Sequence, residues 1–246
     1  MSNLQHSPKI PFNPPKKPTL AIAFDFEEKA PAQALLARLN PNDCAIKIGK
    51  SMFTQYGPAW VKEVADQGFP VFLDLKYHDI PNTVASACKE AAKLGVWMVN
   101  VHAQGGRAMM MAAKAAVAQF EHPPLLIAVT VLTSFTEQDL SELGVSGTVL
   151  NQVLRLAKLA KECELDGVVC SAQEAKAIKA VCGQDFLTIT PGIRLAEGSQ
   201  DDQKRVLTPQ AAVAQGADVL VMGRAIIQHP VPAILIQQIL ADIQTP

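Results

Sequence analysis

The hexapeptide Asp74-Leu75-Lys76-Tyr77-His78-Asp79 sets a lysine two positions after one carboxylate and three before another. In an extended strand Phe72, Asp74 and Lys76 share one face, while Leu73 and Leu75 take the other. Asp74 and Lys76 then project together, and Asp79 follows in the loop. Two carboxylates beside an ammonium favour its charged form. Such a lysine is a poor Schiff-base nucleophile and a good proton donor or fixed cation. For an arbitrary Asp-x-Lys-x-x-Asp, an ordinary ion-pair cluster at a strand end is the commoner explanation. A second lysine, Lys47, at the end of another apolar run, turns the balance towards chemistry.

Two further segments suit an anion. Thr190-Pro191-Gly192-Ile193-Arg194 and Val221-Met222-Gly223-Arg224 each end an apolar run with a glycine and an arginine. Backbone N–H groups near glycine, together with charge-assisted bonds from Arg194 and Arg224, are the usual means of holding phosphate. The remaining candidates weigh less. His102 reads equally well as a wall residue or a catalyst. Met109-Met110-Met111 suits gap-filling in a helix interface. Gly105-Gly106 reads as a turn, and Lys158, Lys161, Glu162 and Glu164 as a solvated helix face.

The elements that must position these residues repeat one unit: an apolar run, a polar turn, then a segment with helical spacing. The runs are 20–26, 45–49, 71–76, 98–103, 125–132, 167–171, 187–193 and 217–222. Most are continuously apolar rather than alternating, as parallel strands covered on both faces should be. Between them, the spacing predicts helices over 29–39, 51–67, 81–94, 107–120, 147–163, 172–181, 208–215 and 230–243, with a short extra one over 137–143. Pro81 and Pro209 stand at helix starts, and Gly68 and Gly95 at helix ends. Eight strands alternating with eight helices predict an α/β fold, a single-domain (β/α)8 barrel over 19–246. An open doubly wound sheet competes, but the dinucleotide fingerprint is missing after the first run. In such a barrel the site lies at the carboxyl ends of the strands. There the sequence sets Asp25, Lys47, Asp74, Lys76, Asn100, His102, Thr133, Ser171, Arg194 and Arg224.

Composition narrows the field. With 246 residues, 49% of them apolar, the chain can bury one sizeable core. A formal net charge of -1 gives no global field for nucleic acid or an anionic membrane, so a small anion must be held by a few placed cations. Five scattered cysteines without a Cys-x-x-Cys pair read as reduced, buried thiols of a cytoplasmic protein. The histidines lack metal-ligand spacing, and no apolar run is long enough to span a bilayer. Residues 1–18, with five prolines and three lysines, read as an extended lead-in without the apolar core of a secretory signal.

The stretch from Phe72 to Thr83 resembles the signature of the orotidine 5'-phosphate decarboxylase family. Ala23-Phe24-Asp25, Ile46-Lys47-Ile48-Gly49-Lys50, Val99-Asn100-Val101-His102-Ala103, Thr190 to Arg194, and Gly223-Arg224 follow in the family's order. The resemblance covers nearly everything from Leu20 onward, and its third-strand segment is the specific part. It implies cofactor-independent conversion of orotidine 5'-monophosphate to uridine 5'-monophosphate and CO2, the last step of de novo pyrimidine synthesis. It implies that Lys76 protonates C6 of the ring, with Asp74 against the departing carboxylate and Lys47 and Asp79 completing an alternating charged array. Asp25 and Lys47 would hold ribose hydroxyls, and Thr133 or Ser134 the pyrimidine edge. Gln203, Arg194, Gly223 and Arg224 would hold the phosphate. It also implies a homodimer in which Asp79 and Thr83 reach the neighbouring subunit's site. Phe24 departs from the aliphatic residue usual in the family, which touches only strand packing. The loop over 195–206 varies among members, so Gln203 is a weaker carry-over than Arg194.

The residue types suit that reaction. Loss of CO2 from C6 leaves an electron pair in the ring plane, orthogonal to the π system. A fixed ammonium can stabilise and then protonate it. A rival within reach is a magnesium-dependent 3-keto-L-gulonate 6-phosphate decarboxylase, whose second strand ends in an acidic residue rather than in Lys47. Another is a non-catalytic barrel that only binds a phosphorylated metabolite. The complete array argues against a pure binder, which has no reason to set a carboxylate beside a substrate anion.

Overall fold

A computed structural model describes residues 19–195 and 207–244 of the chain. The lead-in over 1–18 and Gln203 lie outside the described residues. In chain order the elements begin β1 (Thr19–Phe24), α1 (Lys29–Leu36), β2 (Ala45–Gly49), α2 (Lys50–Asp66), β3 (Val71–Tyr77), α3 (Pro81–Lys93) and β4 (Met98–His102). A 3-10 turn over Ala103–Gly105 leads into α4 (Gly106–Val117), then β5 (Leu125–Val129), α5 (Glu137–Glu142) and α6 (Val149–Glu162). There follow β6 (Gly167–Val169), α7 (Ala172–Cys182), β7 (Leu187–Thr190), α8 (Pro209–Ala214), β8 (Val219–Met222), α9 (Arg224–Ile227) and α10 (Pro232–Gln244). The strands form a closed parallel barrel in sequence order, with β8 pairing back onto β1. The expected (β/α)8 architecture is the one found.

Strand alternation divides the core in two. Ala21, Ala45, Phe72, Met98, Ile127, Ile189, Val219 and Val221 fill the barrel interior. Their neighbours Leu20, Ile22, Ile46, Leu73, Val99, Leu126, Leu220 and Met222 pack outward beneath the helices. Both faces are therefore buried, which is why the strands read as unbroken apolar runs. Continuing the alternation past Ala45, Phe72 and Met98 turns Lys47, Asp74 and Asn100 inward at the mouth. Pairing of Lys47 with Phe72 and of Gly49 with Asp74 fixes how high each stands.

Below the barrel, one device closes the sheet twice. Asp218, just before β8, accepts the Thr188 N–H at 2.8 Å and pairs with buried Lys179 of α7. Asp166, just before β6, accepts the Leu126 N–H at 2.7 Å and pairs with Lys114 of α4 at 3.1 Å. Each carboxylate thus bridges two strands and a helix.

Several expected bounds shift. The runs 125–132 and 187–193 leave the ladder early, at Val129 and Thr190, so their last residues line the mouth as loop. The first helix ends at Leu36 rather than at 39. Pro81 and Pro209 do open their helices, and Gly68 and Gly95 have φ of +89° and +73°, the left-handed conformation of helix-ending glycines. Among the described residues, no helix is long and apolar enough to cross a membrane.

Candidate active site

Asp74 is the hinge of the charged cluster. Its Oδ1 accepts from Lys76 Nζ at 2.6 Å and from Asn100 Nδ2 at 2.7 Å, while Lys47 Nζ lies 3.2 Å from Oδ2. Lys47 and Asp74 are each only 8% exposed. Burial alone would raise the Asp74 pKa. The adjacent ammoniums of Lys47 and Lys76, with the hydrogen bonds from Lys76 and Asn100, outweigh it and hold the carboxyl below its ordinary value. Asp74 is therefore a buried anion shared by two cations from different strands.

The strand that carries it is not regular. Phe72 and Leu73 pair with Met98 and Val99, yet Tyr77 pairs with Val101, so Asp74, Leu75 and Lys76 span a step that Asn100 covers alone. Within this bulge Lys76 has φ of +54°. A side chain in that region costs about 1–3 kcal/mol and persists only where its surroundings enforce it. The simple alternation expected for Phe72, Asp74 and Lys76 therefore breaks at Lys76, because the ladder slips there. Its ammonium still reaches Asp74.

A cavity of about 870 Å³ opens over this cluster at the carboxyl ends of the strands. Of the expected residues, Asp25, Lys47, Asp74, Lys76, Thr133, Arg194, Gly223 and Arg224 line it. Asp25 and Lys47 flank Gly49, where an added Cβ would stand 3.7 Å from Asp25 Oδ1 and 3.5 Å from Lys47 Nζ. Thr133 lines the cavity, whereas Ser134 opens on a neighbouring recess between α5, α6 and α7. Arg194 is held where Ile193 and Leu207 form a bridge, its N–H donating to the Leu207 carbonyl at 3.1 Å. Arg224 opens the short helix α9 behind Gly223. That helix has too few residues for a periodic signal and was not expected.

Asp79 and Thr83 do not join the cluster within one chain. Both are exposed, and Asp79 accepts the Ile80 N–H at 2.6 Å at the start of α3. The carboxylate pair expected around Lys76 is thus represented within a single chain by Asp74 alone. Ile80, which caps the start of α3, is 66% exposed, and Met111 of α4 is 54% exposed. His78, in the same loop, lies against His102 with ring centroids 5.4 Å apart. Burial, then the nearby His78, Lys50 and Lys76, lower the His102 pKa to about 4, with Asp74 opposing. His102 is accordingly a neutral wall residue at ordinary pH. Asn100, named at its strand end without a role, proves central to the cluster. A buried amide in an otherwise apolar strand was its signal.

The profile of the Orotidine 5'-phosphate decarboxylase / HUMPS family matches residues 18–239. An orotidine 5'-phosphate decarboxylase of Chromobacterium violaceum is 54% identical over 224 residues, 91% of this chain and 91% of the relative. One from Pseudoalteromonas translucida is 54% identical over 235 residues, covering 95% and 98%. Among solved structures, the orotidine 5'-phosphate decarboxylase of Lactobacillus acidophilus superposes with a TM-score of 0.84 at 36% identity, covering 93% of this chain and all of that one.

Proposed function

From the premise that the chain belongs to the orotidine 5'-phosphate decarboxylase / HUMPS family, we propose that it decarboxylates orotidine 5'-monophosphate to uridine 5'-monophosphate and CO2. The family name spans more than one activity, and relatives more than half identical over most of the chain favour this one. The observation that carries the chemistry is Asp74 held at 3.2 and 2.6 Å between the ammoniums of Lys47 and Lys76 in the floor of the cavity.

In this reading the phosphate is gripped by Arg194, Gly223 and Arg224, with Gln203, which lies outside the described residues. Asp25 and Lys47 take ribose hydroxyls, and Thr133 the pyrimidine edge. The C6–carboxylate bond then breaks with its electron pair left on C6. CO2 departs past Asp74, and Lys76 Nζ transfers a proton to C6 before regaining one from solvent. Lys76 carries most of the effect, because a preorganised charge stabilises the carbanion as it forms. Repulsion between Asp74 and the substrate carboxylate adds to it and fades as neutral CO2 leaves. Phosphate binding supplies energy that aligns the ring. Neither metal nor organic cofactor enters the proposed steps.

We further propose a homodimer whose Asp79 and Thr83 complete each other's sites. The exposure of both residues, with that of Ile80 between them, supports it. The five buried free thiols suit a reducing, cytoplasmic setting.

Loss of the orotate chromophore from orotidine 5'-monophosphate, followed spectroscopically in excess chelator, tests the activity. Turnover undiminished by chelator is expected. Absence of turnover would overturn the reading, and magnesium-dependent release of CO2 from 3-keto-L-gulonate 6-phosphate in its place would favour the rival enzyme.

A further inference from the structure

Lys76 lacks what its neighbours in β3 have. Where Phe72, Leu73 and Tyr77 are paired with β4, Lys76 sits in the slipped segment, with its backbone turned into the left-handed region. An N–H withdrawn from the ladder there needs another acceptor. It finds the Asn100 side chain: the Lys76 N–H donates to Oδ1 at 2.8 Å, and Nδ2 of the same amide donates to Asp74 Oδ1 at 2.7 Å. Asn100 is fully buried, so water does not reach the amide itself, while Lys76 is only partly buried. The two bonds also fix which way the amide faces, since only its oxygen can accept and only its nitrogen can donate.

We propose that Asn100 is a positioning residue for proton transfer: its side-chain amide replaces the strand partner that Lys76 loses at the bulge and ties that backbone to Asp74. One group thereby sets both ends of the Lys76–Asp74 pair, the main chain from which the ammonium springs and the carboxylate it meets. A regular strand at this point would bring the Lys76 backbone back into the ladder and change the direction of its side chain. A carboxylate in place of the amide could accept from the Lys76 N–H but could not donate to Asp74. The groups facing Asp74 are Lys47 from β2, Lys76 from its own strand and Asn100 from β4, with His102 further along β4.

The inference rests on the decarboxylase reading, and two measurements keep their failures apart. Wild-type turnover of orotidine 5'-monophosphate tests the reading itself. Crystal structures of Asn100→Ala and Asn100→Asp test the positioning without reference to activity. In Asn100→Ala, Lys76 should leave positive φ and its Nζ should move out of hydrogen-bond range of Asp74. Kinetically, Asn100→Ala should lower kcat about 10- to 100-fold, with KM and uridine 5'-monophosphate affinity changed less than about threefold. Asn100→Asp keeps the acceptor and loses the donor. It should therefore shift the acid limb of the kcat profile to higher pH, because the Asp74 anion loses a hydrogen bond and gains a like-charged neighbour. Asn100→Ala with Lys76 unmoved, with kcat within about twofold of wild type, or with kcat and nucleotide affinity falling together would overturn the proposal. So would failure of both variants to fold, which would make Asn100 a core residue only.

Discussion

If the ammonium of Lys76 both stabilises and protonates the carbanion, an alanine there removes two contributions at once. Lys76→Ala should lower kcat by at least about a thousandfold, while affinity for uridine 5'-monophosphate, titrated calorimetrically, stays within an order of magnitude. A variant that retained near-normal turnover would end the mechanism. His102 makes a different demand, on stability. Its folded-state pKa of about 4 lies below the ordinary 6.5. Between those values the unfolded chain binds a proton that the folded chain refuses, so this contribution to stability falls as pH drops through the interval. His102→Gln carries no such proton. Any advantage of wild type over it in Tm should shrink between about pH 7 and about pH 5, which a pair of thermal melts would read. A gap that stays constant would mean that the burial of His102 and the charge of Lys50 and Lys76 do not bear on it as described.

At the level of elements, the constraint is how closely neighbouring strands lie. An added Cβ on Gly167 would run into the Leu187 carbonyl of β7. Gly167→Ala should therefore destabilise the fold by about 1–3 kcal/mol, measured by urea unfolding, with little change in KM for the protein that remains folded. The order of strands and helices was legible in the sequence because burial on both faces leaves continuous apolar runs such as Ala45–Gly49, and because Pro81 and Gly68 mark where helices open and close. Strand ends were less legible. Thr130, Val131 and Leu132 are as apolar or β-prone as β5 itself, yet the strand ends at Val129. Asp25, Lys47, Asp74, Lys76, Arg194 and Arg224 could be read at the mouth from position alone. The bulge could not: nothing in the composition of Asp74-Leu75-Lys76 announces a lysine at positive φ, since the slip comes from pairing with β4. Asn100 was legible only as one of the polar residues at the strand ends, and its two bonds exist only once the slip does.

For the whole molecule, the homodimer proposed above would make activity a property of pairs. Lys76→Ala and Asp79→Ala proteins should each be inactive alone. Mixed under conditions that exchange subunits, they should recover up to about a quarter of wild-type activity, because half the dimers are mixed and one of their two sites is intact. No recovery despite proven exchange would place Asp79 outside the partner's site. Recovery falling on dilution would report the dimer's dissociation. The closed ring has a further consequence. In a ring of eight strands, β3 with Lys76 and β7 with Arg194 after it stand four places apart, on opposite sides. Strand number sets the barrel's diameter, and no strand can step outward without breaking pairs on both flanks. The barrel therefore works as a caliper with jaws that do not adjust. On the proposed reading a ligand is gauged by its span before its chemistry is sampled: a phosphorylated nucleoside would touch both jaws, a bare pyrimidine or a free phosphate only one.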